Sequence, residues 1–190
     1  WNSMAFDAEG WPHISYASDS GVKHAYLDAA GWRLEAVSEE EIGARYTSIA
    51  IDADGRPHIS YWSNGMYTLG AMKYAYRQNS QWITAPIAEE GRAGEHSSLA
   101  LDDNGVAHLV YDYTGYATRG LQYAYQHAGG WQSQVIADAW EASLAIDSHG
   151  VPHISFFDVA GDRLVYTFKD AAGWHEETVG GSRQAGWYPS

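Results

Sequence analysis

Cysteine is absent from this 190-residue sequence, so disulfides, thiolate metal ligands and cysteine nucleophiles are excluded. Basic residues are also scarce, 11 against 24 acidic ones, and the formal charge is −13. This charge argues against nucleic acid or an anionic membrane as the main partner, because their phosphates would be repelled. No apolar run approaches the roughly 18 residues that span a bilayer. Hydrophobic residues still make up 45% of the chain, which is enough for one ordinary domain with a buried core.

Four short segments recur in a fixed order, four times along the chain. The first has the pattern Ser-x-Ala-x-Asp and begins at Ser3, Ser48, Ser98 and Ser143. The second follows an Asp-x-x-Gly sequence, resembles Pro-His-Ile-Ser-Tyr and begins at Pro12, Pro57, Ala107 and Pro152. The third begins at Val22, Met72, Leu121 and Leu164. The fourth opens on Trp32, Trp82, Trp131 and Trp174. The chain is therefore a repeat protein.

Each segment alternates in character and is rich in Ile, Val, Tyr and Trp, which is typical of strands and not of helices. We name the four strands of a repeat A to D, with the Asp-x-x-Gly as a tight turn between A and B. One four-stranded sheet cannot bury two half-apolar faces, whereas copies stacked around an axis bury both. The sequence thus predicts an all-β protein, a β-propeller of four four-stranded antiparallel blades.

The repeat resembles a family of bacterial and archaeal β-propeller repeats. Their units have approximately the pattern Ser-Leu-Ala-x-Asp, Gly-x-Pro-His-Ile-Ser-Tyr, Leu-Lys-Tyr-Ala and Trp. The resemblance covers all four repeats, with mild departures at Ala107 and Val110 in the third. It implies the propeller fold and a secreted or cell-surface location, and it implies no uniform activity.

We expect one domain over residues 1–190, with blades at about 1–46, 47–96, 97–141 and 142–190. The last three residues return to the register of Tyr46, Thr47 and Ser48, where a new strand A would begin. Four blades that close on themselves give a monomer. Two chains that pair give a homodimer with an eight-bladed ring, and a third alternative is a piece of a larger propeller. The wide aromatic side chains and the small Ala and Ser of strand A favour self-closure.

The repeated polar residues have a structural and a ligand-binding interpretation. Four histidines at one strand position, His13, His58, His108 and His153, would be metal ligands if they converged. Because strand B side chains face neighbouring blades, we favour hydrogen bonds within each blade, with the strand-A Ser and Asp as partners. The Asp-x-x-Gly turns are too short to wrap calcium, so their aspartates are expected to cap the turn. We therefore expect no metal and no cofactor.

Binding residues are expected where the repeats disagree, on the face that carries the long B–C and D–A loops. The side chains just before each strand A should surround the mouth of the central channel. They are Arg45, Tyr46, Glu95, His96, Trp140, Glu141, Trp187 and Tyr188, with Trp1 as the alternative to the last pair. Further candidates follow strand B, namely Trp62, Asn64, Asp112, Tyr113 and Asp158. Aromatic planes beside carboxylates, amides and arginine suit a sugar, and they also suit a protein surface.

The leading hypothesis is therefore an extracellular, lectin-like module that binds carbohydrate and is not an enzyme. No nucleophile-elbow, zinc-protease or phosphate-loop motif is present in the sequence. One alternative is a hydrolase or lyase acting on polysaccharide, with His96, Glu141, Glu95, Tyr46 and Arg45 as catalytic candidates. The other alternative is a structural or adhesive propeller segment.

Overall fold

The computed structural model describes residues 1–39, 43–64, 70–88, 92–114, 119–158 and 160–181. Within these ranges the chain forms four antiparallel sheets of four strands each, in the simple order A-B-C-D, and contains no helix. No helix capable of crossing a bilayer occurs in the same ranges. The alternating segments of the sequence therefore form the strands that their period predicts.

Each sheet is one blade, and the strands are numbered along the chain. Blade 1 contains β1 (Asn2–Phe6), β2 (Pro12–Ser18), β3 (Gly21–Asp28) and β4 (Gly31–Ala36). Blade 2 contains β5 (Arg45–Ile51), β6 (Pro57–Ser63), β7 (Ala71–Gln78) and β8 (Gln81–Ala88). Blade 3 contains β9 (Arg92–Leu101), β10 (Ala107–Thr114), β11 (Arg119–His127) and β12 (Gly130–Ala137). Blade 4 contains β13 (Trp140–Ile146), β14 (Pro152–Asp158), β15 (Arg163–Asp170) and β16 (Gly173–Gly181).

The turns between strands A and B are held by the repeated aspartate. In blade 1 the Oδ1 of Asp7 accepts hydrogen bonds from the backbone N–H groups of Glu9 and Trp11, at 3.1 and 2.7 Å. The same pair of bonds recurs at Asp52, Asp102 and Asp147. Gly10 adopts φ 84° in this turn, a backbone region that glycine enters without steric cost. The aspartates therefore cap turns, as the sequence predicts.

Consecutive blades pack face to face, with strand A innermost. β1 packs on β5, β5 on β9 and β9 on β13. Separate apolar clusters fill the spaces between blades 1 and 2, blades 2 and 3, and blades 3 and 4. The strand-A serine joins the inner strands, because its Oγ accepts the backbone N–H of the next blade's strand A. This bond runs from Ile49 to Ser3, from Leu99 to Ser48 and from Leu144 to Ser98, at 3.3, 3.1 and 3.1 Å.

The tryptophan that opens strand D packs against the preceding blade. Trp82 meets His24 edge-on, Trp131 meets Tyr74 and Trp174 meets Tyr123, with ring centroids 5.5, 5.1 and 5.2 Å apart. These aromatic rings fill the wedge between twisted sheets. These three tryptophans are partly buried against the apolar clusters between blades. Trp32 is 55% exposed, because no described blade of this chain packs in front of it.

Blades 4 and 1 do not pack as the other neighbours do. In the described ranges β13 has no contact with β1 comparable to those between successive inner strands. Met4 is 58% exposed, whereas its counterparts Ile49, Leu99 and Leu144 are 5%, 7% and 8% exposed. In the described part of the chain the blades therefore form an open arc in which blade 1 keeps one uncovered face, and this is not the self-closed ring that the residue pattern favours.

Candidate functional site

The repeated strand-B histidines are held inside their blades. In blades 2, 3 and 4 the histidine Nδ1 pairs with a strand-C tyrosine hydroxyl, at His58–Tyr74, His108–Tyr123 and His153–Tyr166. The Nε2 of each repeated histidine lies near a carboxylate oxygen of the aspartate that follows strand A. The distances are 3.5 Å for His13–Asp7, 3.3 Å for His58–Asp52, 3.8 Å for His108–Asp102 and 3.4 Å for His153–Asp147. Burial lowers the pKa of His58 and His108, which favours neutral rings. The structural interpretation of these histidines therefore accounts for their geometry. The aspartate partner was expected and the tyrosine partner was not, whereas the strand-A serine, also expected as a partner, instead accepts the N–H of the next blade.

Blade 1 departs from this pattern at one position. His24 occupies the place of the strand-C tyrosine, and its Nε2 lies 3.0 Å from the Nδ1 of His13. The Nδ1 of His24 faces Glu35 at 3.6 Å, and Glu35 is paired with Arg77 of blade 2 at 2.9 Å. Burial, followed by the charges of His13 and Arg77, lowers the pKa of His24 to about 3. His24 is therefore a neutral, fully buried imidazole at neutral pH.

At the start of strand A, three blades place a non-glycine residue in the left-handed backbone region. Tyr46, His96 and Glu141 have φ values of 54°, 55° and 56°. Each lies within or beside a break in the regular pairing of strands A and B. Such a conformation costs about 1–3 kcal/mol in a residue with a Cβ and is concentrated at functional sites. The bulge turns one side chain per blade away from the sheet and toward the axis.

These three residues and Trp1, their counterpart in blade 1, line a cavity of about 230 Å³. The neighbouring residues Asn2, Thr47, Ser97 and Ala142 complete its wall. The Trp1 and Tyr46 rings are 4.7 Å apart, and Tyr46 is also 4.7 Å from the His96 ring. The guanidinium of Arg45 lies 5.8 Å from the centre of the Trp1 ring, a cation–π distance. One edge of the cavity is therefore aromatic.

The opposite edge of the cavity is polar and is organised by Asp112. Its Oδ2 lies 3.0 Å from the Nδ1 of His96, and its Oδ1 accepts the backbone N–H of Glu141 at 3.0 Å. The Nε2 of His96 lies 4.0 Å from the carboxylate of Glu141. Burial raises the pKa of Asp112, and the hydrogen bond to His96 opposes that rise. One buried carboxylate thus fixes the ring of His96 and the backbone of Glu141.

A larger cavity of about 390 Å³ lies at the other end of blades 1 and 2. It is lined by the scaffold residues Asp7, His13 and His24, together with Arg56 and Arg77, whose guanidinium groups are ion-paired to carboxylates. A similar space recurs between blades 2 and 3. Because these two spaces recur from one pair of blades to the next, we assign them to the packing of adjacent blades. The candidate site is the smaller cavity of about 230 Å³, which we call the axial cavity.

The structure therefore places Tyr46, His96 and Glu141 together at the axis, with Trp1 and Arg45 beside them and Asp112 behind. Trp187 and Tyr188 lie outside the described residues, so Trp1 is the candidate that can be placed. Glu95 belongs to strand β9, and its side chain also lies outside what the structure describes. A binding role for any of these residues stays a prediction.

Five other candidates do not line the described part of this cavity. Trp62 is buried, with its indole next to Gly70, and Tyr113 packs against the core between blades 2 and 3. Asp158 is paired with Arg163 at 2.9 Å and accepts a turn N–H. Asn64 and Trp140 complete the five.

Sequence reasoning missed Asn2, Thr47, Ser97 and Ala142, which lie one residue after the bulge. Ser97 also ties blade 3 to blade 2, because its hydroxyl donates to the backbone carbonyl of Tyr46 at 3.1 Å. The sequence did contain a signal for these four residues, because the position directly before the repeated serine holds a different residue in every blade.

No protein-family model and no curated protein matches the sequence. Solved structures do match. A microbial sialidase, Hz136, superposes with TM-score 0.66 at 11% identity over 93% of this chain and 45% of its own. AofleA from Arthrobotrys oligospora superposes with TM-score 0.66 at 10% identity over 95% and 56%. A fucose lectin from Kordia zhangzhouensis, solved with methyl-fucoside, superposes with TM-score 0.50 at 16% identity over 72% and 99%.

The fold is that of a β-propeller. Other matches include an exo-β-1,3-galactanase from Clostridium thermocellum, with TM-score 0.57, 14% identity and coverage of 95% of this chain and 48% of the enzyme. This chain spans about half the length of the sialidase and of AofleA. At such low identities the likeness establishes the propeller and its sheet order and assigns no activity.

Proposed function

We propose that this propeller is an extracellular carbohydrate-recognition module and that its site is the axial cavity. The observation that carries the proposal is the set of left-handed residues Tyr46, His96 and Glu141, which differ from blade to blade on one repeated backbone. The repeated backbone of three blades thus places three different side chains around one cavity. Sugar-active and sugar-binding proteins among the structural neighbours support this assignment.

The chemistry of the cavity fits a sugar ring. The tilted Trp1 and Tyr46 rings offer aromatic faces for C–H groups, and Glu141 and His96 offer hydrogen-bond partners for hydroxyls. A neutral glycan is favoured over an acidic one, because the chain carries a formal charge of −13 and Glu141 lines the cavity.

A glycan array followed by titration calorimetry tests the proposal. Tyr46→Ala should weaken binding of a captured glycan about two- to tenfold, since one lost aromatic contact is worth about 0.5–1.5 kcal/mol. Trp11→Ala is the matched control, because Trp11 is an exposed aromatic residue at the opposite end of the blades. Equal losses in both variants would contradict the proposed site. A folded chain that binds no glycan on the array would leave the structural or adhesive segment as the better assignment.

A hydrolase or lyase is the second candidate, and the Asp112–His96 pair favours it. A carboxylate bonded to Nδ1 orients an imidazole so that its Nε2 can serve as a general base. Asp112 is bonded in this way to His96, which lines the axial cavity. Release of reducing ends or of unsaturated uronate from a polysaccharide library would show activity. His96→Gln should then abolish the release while leaving the melting temperature within a few degrees. No release from any polysaccharide would leave recognition without catalysis.

A further inference from the structure

The two ends of the blade arc carry the two halves of an interface that the chain already forms three times. We define the leading face as the side of blade 1 that points away from blade 2, with Met4, Phe6, Ile14, Leu27 and Trp32. The trailing face is the side of blade 4 that points away from blade 3, with Ser143, His153, Ser155, Tyr166 and Phe168.

The leading face is apolar and uncovered. Met4, Phe6 and Trp32 are 58%, 59% and 55% exposed. In blades 2 to 4 the residues equivalent to Met4 are buried by the preceding blade. A contiguous apolar face of this kind is unusual on a monomer and marks a contact surface.

The trailing face is the matching surface. Tyr166 occupies the place at which Tyr74 and Tyr123 receive the tryptophan of the next blade. Ser143 occupies the place at which Ser3, Ser48 and Ser98 accept the N–H of the next strand A. A partner that fits this surface must present a tryptophan at the start of strand D, to pack on Tyr166, and the backbone of a strand A, to donate to Ser143. The leading face has both, in Trp32 and Met4.

The two faces are also more apolar at one position than the joint between blades 3 and 4. Lys169 of blade 4 lies about 6 Å from the Tyr123 and Tyr125 rings of blade 3. The equivalent residue of blade 1 is Leu27, and the ring equivalent to Tyr125 on the trailing face is Phe168. A joint between these faces would therefore replace a cation over tyrosine by leucine over phenylalanine, which stabilises it by apolar burial.

We propose that the leading face of one chain docks on the trailing face of a second copy of the same chain. Two copies related by a two-fold axis form both joints at once and close a ring of eight blades. In each joint Trp32 packs edge-on against Tyr166 of the second copy, and the N–H of Met4 donates to the Ser143 hydroxyl of the second copy. The axial cavity then opens onto a channel shared by both chains.

Light scattering at about 50 µM tests the proposal. The wild-type chain should have a mass of about 42 kDa, twice the 20.9 kDa of one chain. Phe6→Lys places a charge on the leading face and should give the mass of one chain. Val135→Lys is the matched control, because Val135 is an exposed apolar residue on the outer strand of blade 3, and it should stay dimeric.

A second measurement separates disassembly from misfolding. The melting temperature of the wild type should rise with protein concentration, and that of Phe6→Lys should not, while their circular dichroism spectra agree. A wild-type mass near 20.9 kDa would overturn the proposal, as would a Phe6→Lys variant that stays dimeric. A ladder of larger species would overturn the closed ring. Glycan binding is measured independently, so this result does not depend on the proposed function.

Discussion

Replacing His24 by tyrosine should remove the part of the destabilisation by mild acid that this buried histidine causes. The substitution gives blade 1 the pair that blades 2 to 4 have, with the new hydroxyl facing His13. The space is suitable, because Trp82 lies against His24 as Trp131 lies against Tyr74, at 5.5 and 5.1 Å. A tyrosine has no proton to take up below pH 7.

The magnitude follows from the pKa of His24, which is about 3 in the folded chain against 6.5 for an exposed histidine. The folded-state pKa is the lower one, so the unfolded chain takes up a proton first. Stability is present above pH 6.5 and is lost as the pH falls toward 3. Between pH 7.5 and pH 5 the loss from this one residue is about 2 kcal/mol, at about 1.4 kcal/mol per pH unit below 6.5.

Urea unfolding of both proteins at pH 7.5 and pH 5 measures the effect. The drop in the free energy of unfolding should be about 2 kcal/mol smaller for His24→Tyr than for the wild type, and any constant packing cost cancels in this difference. His149→Tyr is the matched control at an exposed histidine and should keep the wild-type drop. Equal drops in wild type and His24→Tyr would refute the assignment of His24 as a neutral buried imidazole.

Two further substitutions test the scaffold. His58→Ala should destabilise the fold by about 1–3 kcal/mol, because it leaves the Tyr74 hydroxyl without its partner, and a normal melting curve would contradict this structural role. Gly120→Ala should cost about 2 kcal/mol or more in urea unfolding, since Gly120 has φ 137° and an added Cβ would overlap the carbonyl oxygen of Ala137. A neutral effect would show that this backbone can relax.

The sequence was sufficient to predict the sheets, because the four repeats supply four independent copies of each strand and turn signal. The Asp7 turn and the pairing of His58 with Asp52 could be predicted, because a turn aspartate and a buried histidine each need a hydrogen-bond partner and few polar groups lie near them in the repeat. The same reasoning placed Tyr46, His96 and Glu141 near the axis, because they precede strand A in three different blades.

Two features were beyond the reach of sequence patterns. The left-handed conformation of His96 is not marked by a glycine, and the carboxylate of Asp112 that holds its ring comes from the neighbouring strand. The open arc depends on the angle between packed blades, which is a property of whole interfaces and not of any segment. The substitution of His24 for tyrosine was visible in the repeat, but its partner, His13, became apparent only from the distance between the two rings.

The bulge at the start of strand A has a consequence for how such a protein can change. The side chain at this position points into the axial cavity, while the serine two residues later bonds the next blade and the apolar residue after it packs in the core. Under the proposed function, mutations at Tyr46, His96 or Glu141 would alter what the cavity accepts while leaving the serine hydrogen bonds and the apolar clusters between the blades in place. Ligand preference would then be largely separable from fold stability, and a duplicated blade would acquire a new preference through one codon.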